Sequence, residues 1–343
     1  MKTKKTIIII LSLLIVIATI SIFICRQYIN RNNKDTIKIG YNIESVDQGA
    51  IIVAYEKEIF AKHNIQVQLI PFKSGKETQQ ALALGQIDIG SAGATNFLIP
   101  IAKGAPVKII APGAVAPTLV FVRPDSKIKT LHDLIGKSVA SRLGENSNLA
   151  LGFALKKEGI KLQDIEFLDI DKPLRPLALM EKETVDAAVA TEYEEKIYLE
   201  YGAIPLEEWQ TKGYINKTFP RAVIAVNTDY FNENKKDTES FIDSLIESQR
   251  FIKDNPDEAA KIISEHIDKG SNGAVKFSAE EVKNTWIEMK YILWYDPNDL
   301  MEVAEMAKEV GNIESVPSLN EIFDFSFKEK LINAQNEIYP SIN

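Results

Sequence analysis

Cysteine and histidine are scarce in this sequence of 343 residues, which holds one cysteine and three histidines. A single cysteine cannot form an intramolecular disulfide bond, and it excludes a cysteine-rich metal site. The histidines, at positions 63, 132 and 266, do not have the spacing of metal ligands. The sequence also lacks the G-x-S-x-G, H-E-x-x-H and P-loop motifs. We therefore expect no cofactor and no metal, and no motif indicates a catalytic site.

Basic residues are outnumbered by acidic ones, and the charge is unevenly distributed along the chain. Residues 1–34 contain six Lys or Arg and no acid, so the formal net charge of −8 for the whole chain becomes −14 for residues 35–343. Proteins that bind nucleic acids neutralise phosphates with Lys and Arg, so an acidic body argues against that class. We expect no nucleic-acid partner.

The N-terminus combines a basic start with a long apolar run. Residues Ile7–Ile24 are apolar apart from three Ser and Thr, and eighteen helical residues span about 27 Å, close to the hydrocarbon core of a bilayer. The same pattern is typical of a signal peptide. Cys25 follows the run, where a bacterial lipoprotein carries its lipid, but Ile24 stands where such signals have a small residue. We expect residues 1–25 to act as an uncleaved anchor or a lipoprotein signal and residues 26–35 as a tether, with the body outside the cytoplasm.

Beyond the tether, short apolar segments with strand periodicity alternate with segments of helical periodicity. This order predicts α/β lobes with largely parallel sheets. A turn cluster after Arg123 begins a second unit of the same kind. We expect one lobe from residues 36–122 plus 227–343 and a second from residues 123–226. The crossings would lie near Leu119–Arg123 and Arg221–Asn227, and the helical tail would pack on the first lobe.

The segment Gln79–Asn96 is the most informative part of the sequence. It predicts a helix that ends at Gly85, a residue type suited to the left-handed conformation beyond a helix end. A short strand, Ile87–Ile89, follows, and then the small-residue loop Gly90–Thr95 opens another helix. Such a turn exposes backbone N–H groups, so we expect a binding loop here.

Similar polar loops follow the other predicted strands. In open α/β sheets, ligands bind beyond the carboxyl ends of the strands, and helix N-termini attract anions or polar oxygens. Each loop taken alone could simply cap its helix. Five of them on two lobes favour a binding cleft. The loops are Asn42–Gln48, Phe72–Gly75, Ser91–Asn96, Ser141–Asn148 and Thr191–Glu192.

Five segments, taken in this order, resemble substrate-binding proteins of ABC importers, in the nitrate/sulfonate/taurine class that also includes relatives of thiamine-pyrimidine synthases. They are IKIGY at 37–41, ALALGQIDIGSAGATN at 81–96, KGAPVKIIAP at 103–112, SKIKTLHDLIGKSVAS at 126–141 and VDAAVA at 185–190. The resemblance implies a periplasmic-binding-protein-like, type II-like α/β fold. Two lobes hinged by two crossings would close over a small solute, and the monomeric protein would deliver it to a membrane permease and its ATPase.

The resemblance also implies ligand contacts in the five loops. The expected contact residues are Asn42, Ser45, Gln48, Ser74, Gly75, Ser91, Ala92, Gly93, Ala94, Ser141, Arg142, Ser147, Asn148 and Glu192. Sulfonate and nitrate binders favour N–H donors and little negative charge. Here Glu44, Asp47, Glu145 and Glu192 lie in or beside the loops, and Arg142 is the cation among them. The solute is therefore open: a sulfonate, nitrate or a related organic molecule.

Two other functions fit parts of the sequence. The first is an enzyme of the pyrimidine-synthase type, which would need a cofactor-binding lysine and histidines in the cleft. The cysteine-rich motif of those enzymes is absent from residues 35–343. The second is a sensor or receptor lobe that works without a permease. We expect a binding protein rather than an enzyme.

Overall fold

The computed structural model describes residues 36–43, 45–115, 118–141, 146–170, 174–181, 184–191, 194–212, 220–288 and 290–340. The predicted signal or anchor segment, the tether and Cys25 lie outside the described residues. Within the described ranges, every helix is too short or too polar to traverse a bilayer.

The first sheet has six strands in the order β11-β4-β10-β3-β1-β2. Strand β1 is parallel to β2 and β3, whereas β10 is antiparallel to β3 and β4. Apolar residues of β1 such as Ile37 and Ile39 are fully buried between helical layers. The strands are β1 (Ile37–Asn42), β2 (Val67–Phe72), β3 (Ile89–Gly93), β4 (Val107–Val115), β10 (Pro220–Asn227) and β11 (Lys290–Tyr291).

The second sheet has five strands in the order β7-β6-β8-β5-β9. Strand β6 is parallel to β7 and β8, and β5 is antiparallel to β8 and β9. Two sheets with helices between their strands confirm the predicted two-lobed α/β class. The expectation of largely parallel sheets was wrong, since five of the nine described strand pairs are antiparallel. The strands are β5 (Thr118–Val122), β6 (Ser138–Ser141), β7 (Glu166–Asp169), β8 (Ala187–Thr191) and β9 (Ile204–Pro205).

The crossings between the sheets differ from the prediction. Residues 119–122 were expected in the first lobe, but β5 pairs with β8 in the second sheet, from Thr118 opposite Thr191 onward. Residues 220–226 were expected in the second lobe, but β10 pairs with β3 and β4 in the first sheet. The expected assignments were wrong because periodicity identifies a strand without identifying its partners. The chain therefore leaves the first sheet at Val115 and returns to it at Pro220.

Helices cover the faces of both sheets. Those of the first half are α1 (Gly49–Glu56), α2 (Ile59–Lys62), α3 (Gly75–Ala83), α4 (Ala94–Ala102), α5 (Asn146–Lys157), α6 (Arg175–Met180), α7 (Glu195–Glu200) and α8 (Glu207–Lys212). Those of the tail are α9 (Thr228–Glu233), α10 (Lys235–Asp254), α11 (Pro256–Gly270), α12 (Ala279–Glu288), α13 (Asn298–Glu309), α14 (Leu319–Ile322) and α15 (Lys328–Ile338). Single 3-10 turns lie at Val46–Gln48, His132–Leu134 and Leu162–Asp164.

The helical tail reaches both lobes. Helices α10, α11 and α15 contribute Phe241, Ile263 and Leu331 to the core around β1, as expected for a tail on the first lobe. Helix α13, however, packs against α4 of the first lobe and also against α5 of the second. Its Leu300 and Val303 belong to one apolar core that is shared by the two lobes. The apolar face of α13 thus joins the lobes on the side next to α4 and α5.

Candidate functional site

A cavity lies at the carboxyl ends of β1 and β3, where the first sheet faces the second lobe. Nine of its lining residues come from the first sheet and its loops, and one, Asn146, comes from α5 of the second lobe. The lining residues are Asn42, Ser45, Asp47, Gln48, Gly75, Ala92, Gly93, Asn96, Asn146 and Arg221. The lining is polar and holds three further amide side chains besides that of Asn146.

The loop after β1 supplies much of the polar wall. The chain leaves β1 at Asn42 and makes the 3-10 turn Val46–Gln48 before α1, which buries its polar side chains at the sheet edge. Ser45 donates its hydroxyl to Asp47 Oδ1 at 2.6 Å. Gln48 is 3% exposed, and its Oε1 atom has no hydrogen-bond partner among the described residues. A buried acceptor of this kind favours a donor on a ligand.

Asp47 and Arg221 form a buried ion pair at the cavity. Arg221 is the second residue of β10, and its Nε atom lies 3.2 Å from Asp47 Oδ2. Each side chain is 7% exposed. Because the two opposite charges are close and shielded from water, they largely neutralise each other's field. The described lining of the cavity therefore carries no net charge.

Two glycines allow Asn96 to lie against the floor of the cavity. A Cβ atom built on Gly75, the first residue of α3, would be 2.4 Å from Asn96 Oδ1. A Cβ on Gly93 would be 3.0 Å from the same atom and 3.3 Å from Asn146 Oδ1. Larger residues at these positions would displace the amide groups, so glycine sets the shape of the cavity here.

Asn146, the first residue of α5, connects the second lobe to the first. Its Oδ1 atom accepts hydrogen bonds from the backbone N–H of Thr95 at 2.9 Å and from its hydroxyl at 2.5 Å. Its Nδ2 atom donates to the carbonyl oxygens of Pro220 at 2.7 Å and Arg221 at 3.0 Å. The side chain is 3% exposed. One carboxamide thus joins the N-terminus of α4 to the start of β10 through four hydrogen bonds.

The predicted contact residues divide into two groups. Six of them line the cavity: Asn42, Ser45, Gln48, Gly75, Ala92 and Gly93. Six are described and do not line it: Ser74, Ser91, Ala94, Ser141, Ser147 and Asn148. Arg142 and Glu192 lie outside the described residues. A ligand role for any of these residues remains a prediction.

The residues away from the cavity have structural surroundings of their own. Ser74 caps α3 by accepting a hydrogen bond from Glu77 N. Ser91 was expected in a loop, but it lies within β3 opposite Ile224, because pairing with β10 extends the strand to Gly93. Ser141 and Ser147 are buried, and their hydroxyl oxygens have no hydrogen-bond partner among the described residues.

Four lining residues were not among the predicted contacts. Asp47 and Asn96 lie within predicted loops, and Asn146 lies in the predicted loop Ser141–Asn148. The polar composition of these loops could have identified all three residues as candidate ligand contacts. Arg221 lies at a predicted crossing, and only the pairing of β10 with β3 brings it to the cavity.

None of the three histidines lines the cavity, and two of them form hydrogen bonds elsewhere. His63 contacts Glu247, and His266 lies between Tyr41 and Glu56. Burial, with the nearby Glu56 carboxylate adding to it, raises the pKa of Tyr41 to about 12. Among the described residues, no three His, Cys, Asp or Glu side chains are close enough together to hold a metal ion.

Comparison with known proteins gives a family match. The model of the NMT1/THI5-like family matches residues 46–259. A curated relative, named as a binding protein of Brucella abortus (strain 2308), is 26% identical over 267 residues, which cover 73% of this chain and 79% of the relative.

Solved structures share the fold. The periplasmic aliphatic sulphonate binding protein SsuA from Escherichia coli superposes with a TM-score of 0.67 at 18% identity and covers 85% of this chain and 92% of its own. The ligand binding component of an ABC-type import system from Staphylococcus aureus, solved with zinc bound, gives a TM-score of 0.68 at 16% identity and covers 87% and 99% of the two chains. At these identities the likeness establishes the two-lobed fold.

Proposed function

The chain belongs to the NMT1/THI5-like family, and from this membership and the polar cavity between its lobes we propose that it is the extracytoplasmic solute-binding protein of an ABC importer. It captures a small polar solute between the lobes and delivers it to a membrane permease, whose ATPase supplies the energy. The protein itself performs no chemistry.

The observation that carries the proposal is the cavity that both lobes line. Its polar groups come from the ends of β1 and β3 and from the N-terminus of α5, where ligands of open α/β sheets bind. The buried Oε1 atom of Gln48 gives this wall an acceptor for a solute. Named relatives and neighbours of the same fold include binding proteins and an import component.

We also propose that the protein is held at the outer face of the membrane, which keeps it near the permease. The basic and apolar N-terminus supports such a tether, either as a retained helix or as a lipid on Cys25. Mass spectrometry of the membrane-bound form distinguishes the two, because a lipoprotein would begin at a diacylated Cys25. A soluble, secreted form without lipid would contradict the tether.

An enzyme of the pyrimidine-synthase type is the second candidate. Such an enzyme needs histidines in its cleft, and His63, His132 and His266 all lie away from the cavity lining. Their positions favour binding over catalysis.

A thermal-shift screen of the full-length protein in detergent tests the proposal. The screen would include sulfonates, nitrate, polyamines, pyrimidines and flavins. A solute at about 100 times its Kd should add roughly 2.7 kcal/mol to the free energy of unfolding. Gly93→Val, which places methyl groups against Asn96 and Asn146, should abolish the shift while the protein remains folded.

The matched control is Ser278→Ala, which removes a cap of α12, the hydrogen bond from Glu281 N to the Ser278 hydroxyl, away from the cavity lining. It should lower the melting temperature slightly and leave the solute-induced shift unchanged. If no solute stabilises the parent protein, the proposed function fails.

A further inference from the structure

The carboxamide of Asn146 contacts a wall of the first lobe that is formed by Thr95, Pro220 and Arg221. Its hydrogen bonds indicate which chemical groups this wall can bind. On one side of that wall, Thr95 presents a backbone N–H and a hydroxyl, both of which donate to Oδ1. On the other side, the carbonyl oxygens of Pro220 and Arg221 accept from Nδ2. These neighbours fix which end of the amide is oxygen, because a backbone N–H can only donate and a carbonyl can only accept. The wall is therefore complementary to a C=O next to an NH2.

An anion fits this wall poorly. The N-terminus of α4 by itself would favour a negative charge. Nitrate or a sulfonate placed there would direct an oxygen at the carbonyls of Pro220 and Arg221, which are acceptors and repel it. The guanidinium of Arg221 does not offset this repulsion, because it lies 3.2 Å from the carboxylate of Asp47.

A second observation points the same way. Gln48 lines the same cavity with a buried Oε1 atom that has no hydrogen-bond partner among the described residues. An oxygen acceptor of this kind selects an N–H or O–H donor on a ligand, which nitrate and the sulfonate group itself lack at neutral pH.

We propose that the solute is uncharged and presents an amide-type group, a carbonyl-like oxygen beside an NH2, which replaces Asn146 on the wall formed by Thr95, Pro220 and Arg221. The inference rests on the proposed function, since it identifies the chemistry of the solute captured in that cleft. The lobes separate to admit the solute, Asn146 leaves the wall, and the amide group of the solute takes up the same donors and acceptors.

Chemical rescue of Asn146→Gly tests the wall itself. This substitution removes the carboxamide from its four hydrogen-bonding partners. Acetamide carries the same carboxamide group and can take its place. Acetamide should raise the melting temperature of the full-length variant more than that of the parent. Acetate, its charged counterpart, should bind the variant at least about tenfold more weakly, because its second oxygen faces two carbonyls. Rescue by acetate equal to that by acetamide would overturn the proposal.

Asn146→Ser is the matched variant, since its hydroxyl cannot span both sides of the wall. It should show weaker discrimination between acetamide and acetate than Asn146→Gly. Because the two probes are compared within one variant, any loss of stability from the substitution cancels.

The parent protein tests the solute class and separates the two proposals. Methanesulfonamide is paired with methanesulfonate and urea with nitrate, since the members of each pair have similar shape and differ in charge and N–H donors. Stabilisation by the uncharged members alone supports the inference. Stabilisation by the anions alone leaves solute binding standing and refutes the amide assignment. If no compound of the broad screen stabilises the parent while acetamide rescues Asn146→Gly, the proposed function fails and the wall chemistry stands.

Discussion

The ion pair between Asp47 and Arg221 should contribute strongly to stability through its burial. Asp47→Asn keeps the shape of the side chain and its contact with Ser45 but removes the negative charge 3.2 Å from the guanidinium. We expect a loss of about 3–5 kcal/mol in the free energy of unfolding, the usual cost of removing one partner of a buried pair. Arg221→Met should cost a similar amount, because it leaves the buried Asp47 carboxylate without the guanidinium.

The magnitude follows from the geometry. Two unit charges 3.2 Å apart attract by about 5 kcal/mol at an effective dielectric constant near 20. Desolvation of both groups offsets most of this gain in the intact protein, so the pair as a whole is close to neutral. The double variant should therefore be far more stable than the sum of the single losses implies, with a coupling energy of about 2–4 kcal/mol.

Urea unfolding followed by circular dichroism measures the four proteins of this cycle. The control is the exposed pair Lys261 and Glu265, with an N–O distance of 3.8 Å and side chains 69% and 68% exposed. Its coupling should stay within about 0.5 kcal/mol. A coupling for Asp47 and Arg221 as small as that of the control would refute the conclusion that the pair is shielded from water.

Two further predictions concern groups outside the cavity. Burial, reinforced by the charges of Glu302 and Asp296, raises the pKa of Asp299 to about 6. The folded state therefore binds a proton at this carboxyl more readily than the unfolded state does. As a result, the free energy of unfolding decreases as the pH rises from about 4 to 6. Asp299→Asn should therefore raise the melting temperature at pH 7.5 and leave it unchanged at pH 4, and an equal increase at both pH values would contradict this cause. His266→Ala should cost about 1–3 kcal/mol in urea unfolding because it removes the partner of the buried Tyr41 hydroxyl; the same substitution in a Tyr41→Phe background should cost clearly less, and an equal cost would exclude that explanation.

Local patterns in the sequence were sufficient to predict many of the helices and strands of the first lobe. Helix α3 begins at Gly75 and ends before Gly85, which has the predicted left-handed φ of 65°. Residues 48–62 have continuous helical periodicity, yet they form two helices, α1 and α2, because Glu58 adopts a φ of 55°. Apolar periodicity continues through such a break and therefore conceals it.

Contacts between residues distant in the sequence account for the remaining differences between the prediction and the structure. The small residues Ser91 and Ala92 indicated a loop, yet they extend β3 because β10 pairs beside them. Arg221 reaches the cavity by the same antiparallel pairing. The contacts of Asn146 with Thr95 and with Pro220 span 51 and 74 residues. A single sequence shows which loops are polar, but it does not show which of their side chains meet across two lobes.

The shared contacts also explain why the solute must resemble the group that it displaces. Separating the lobes at Asn146 breaks four hydrogen bonds, each contributing about 0.5–1.5 kcal/mol. The apolar contacts of α13 with α4 and α5 lack direction and can adjust as the lobes move. The free energy needed to open the lobes therefore comes mainly from the four amide contacts. Because only the open fraction of the protein binds solute, this cost weakens the apparent affinity for every solute. A solute that restores all four contacts offsets this cost, whereas one that contacts only the two donors of Thr95 leaves the contacts with the carbonyls of Pro220 and Arg221 unmade.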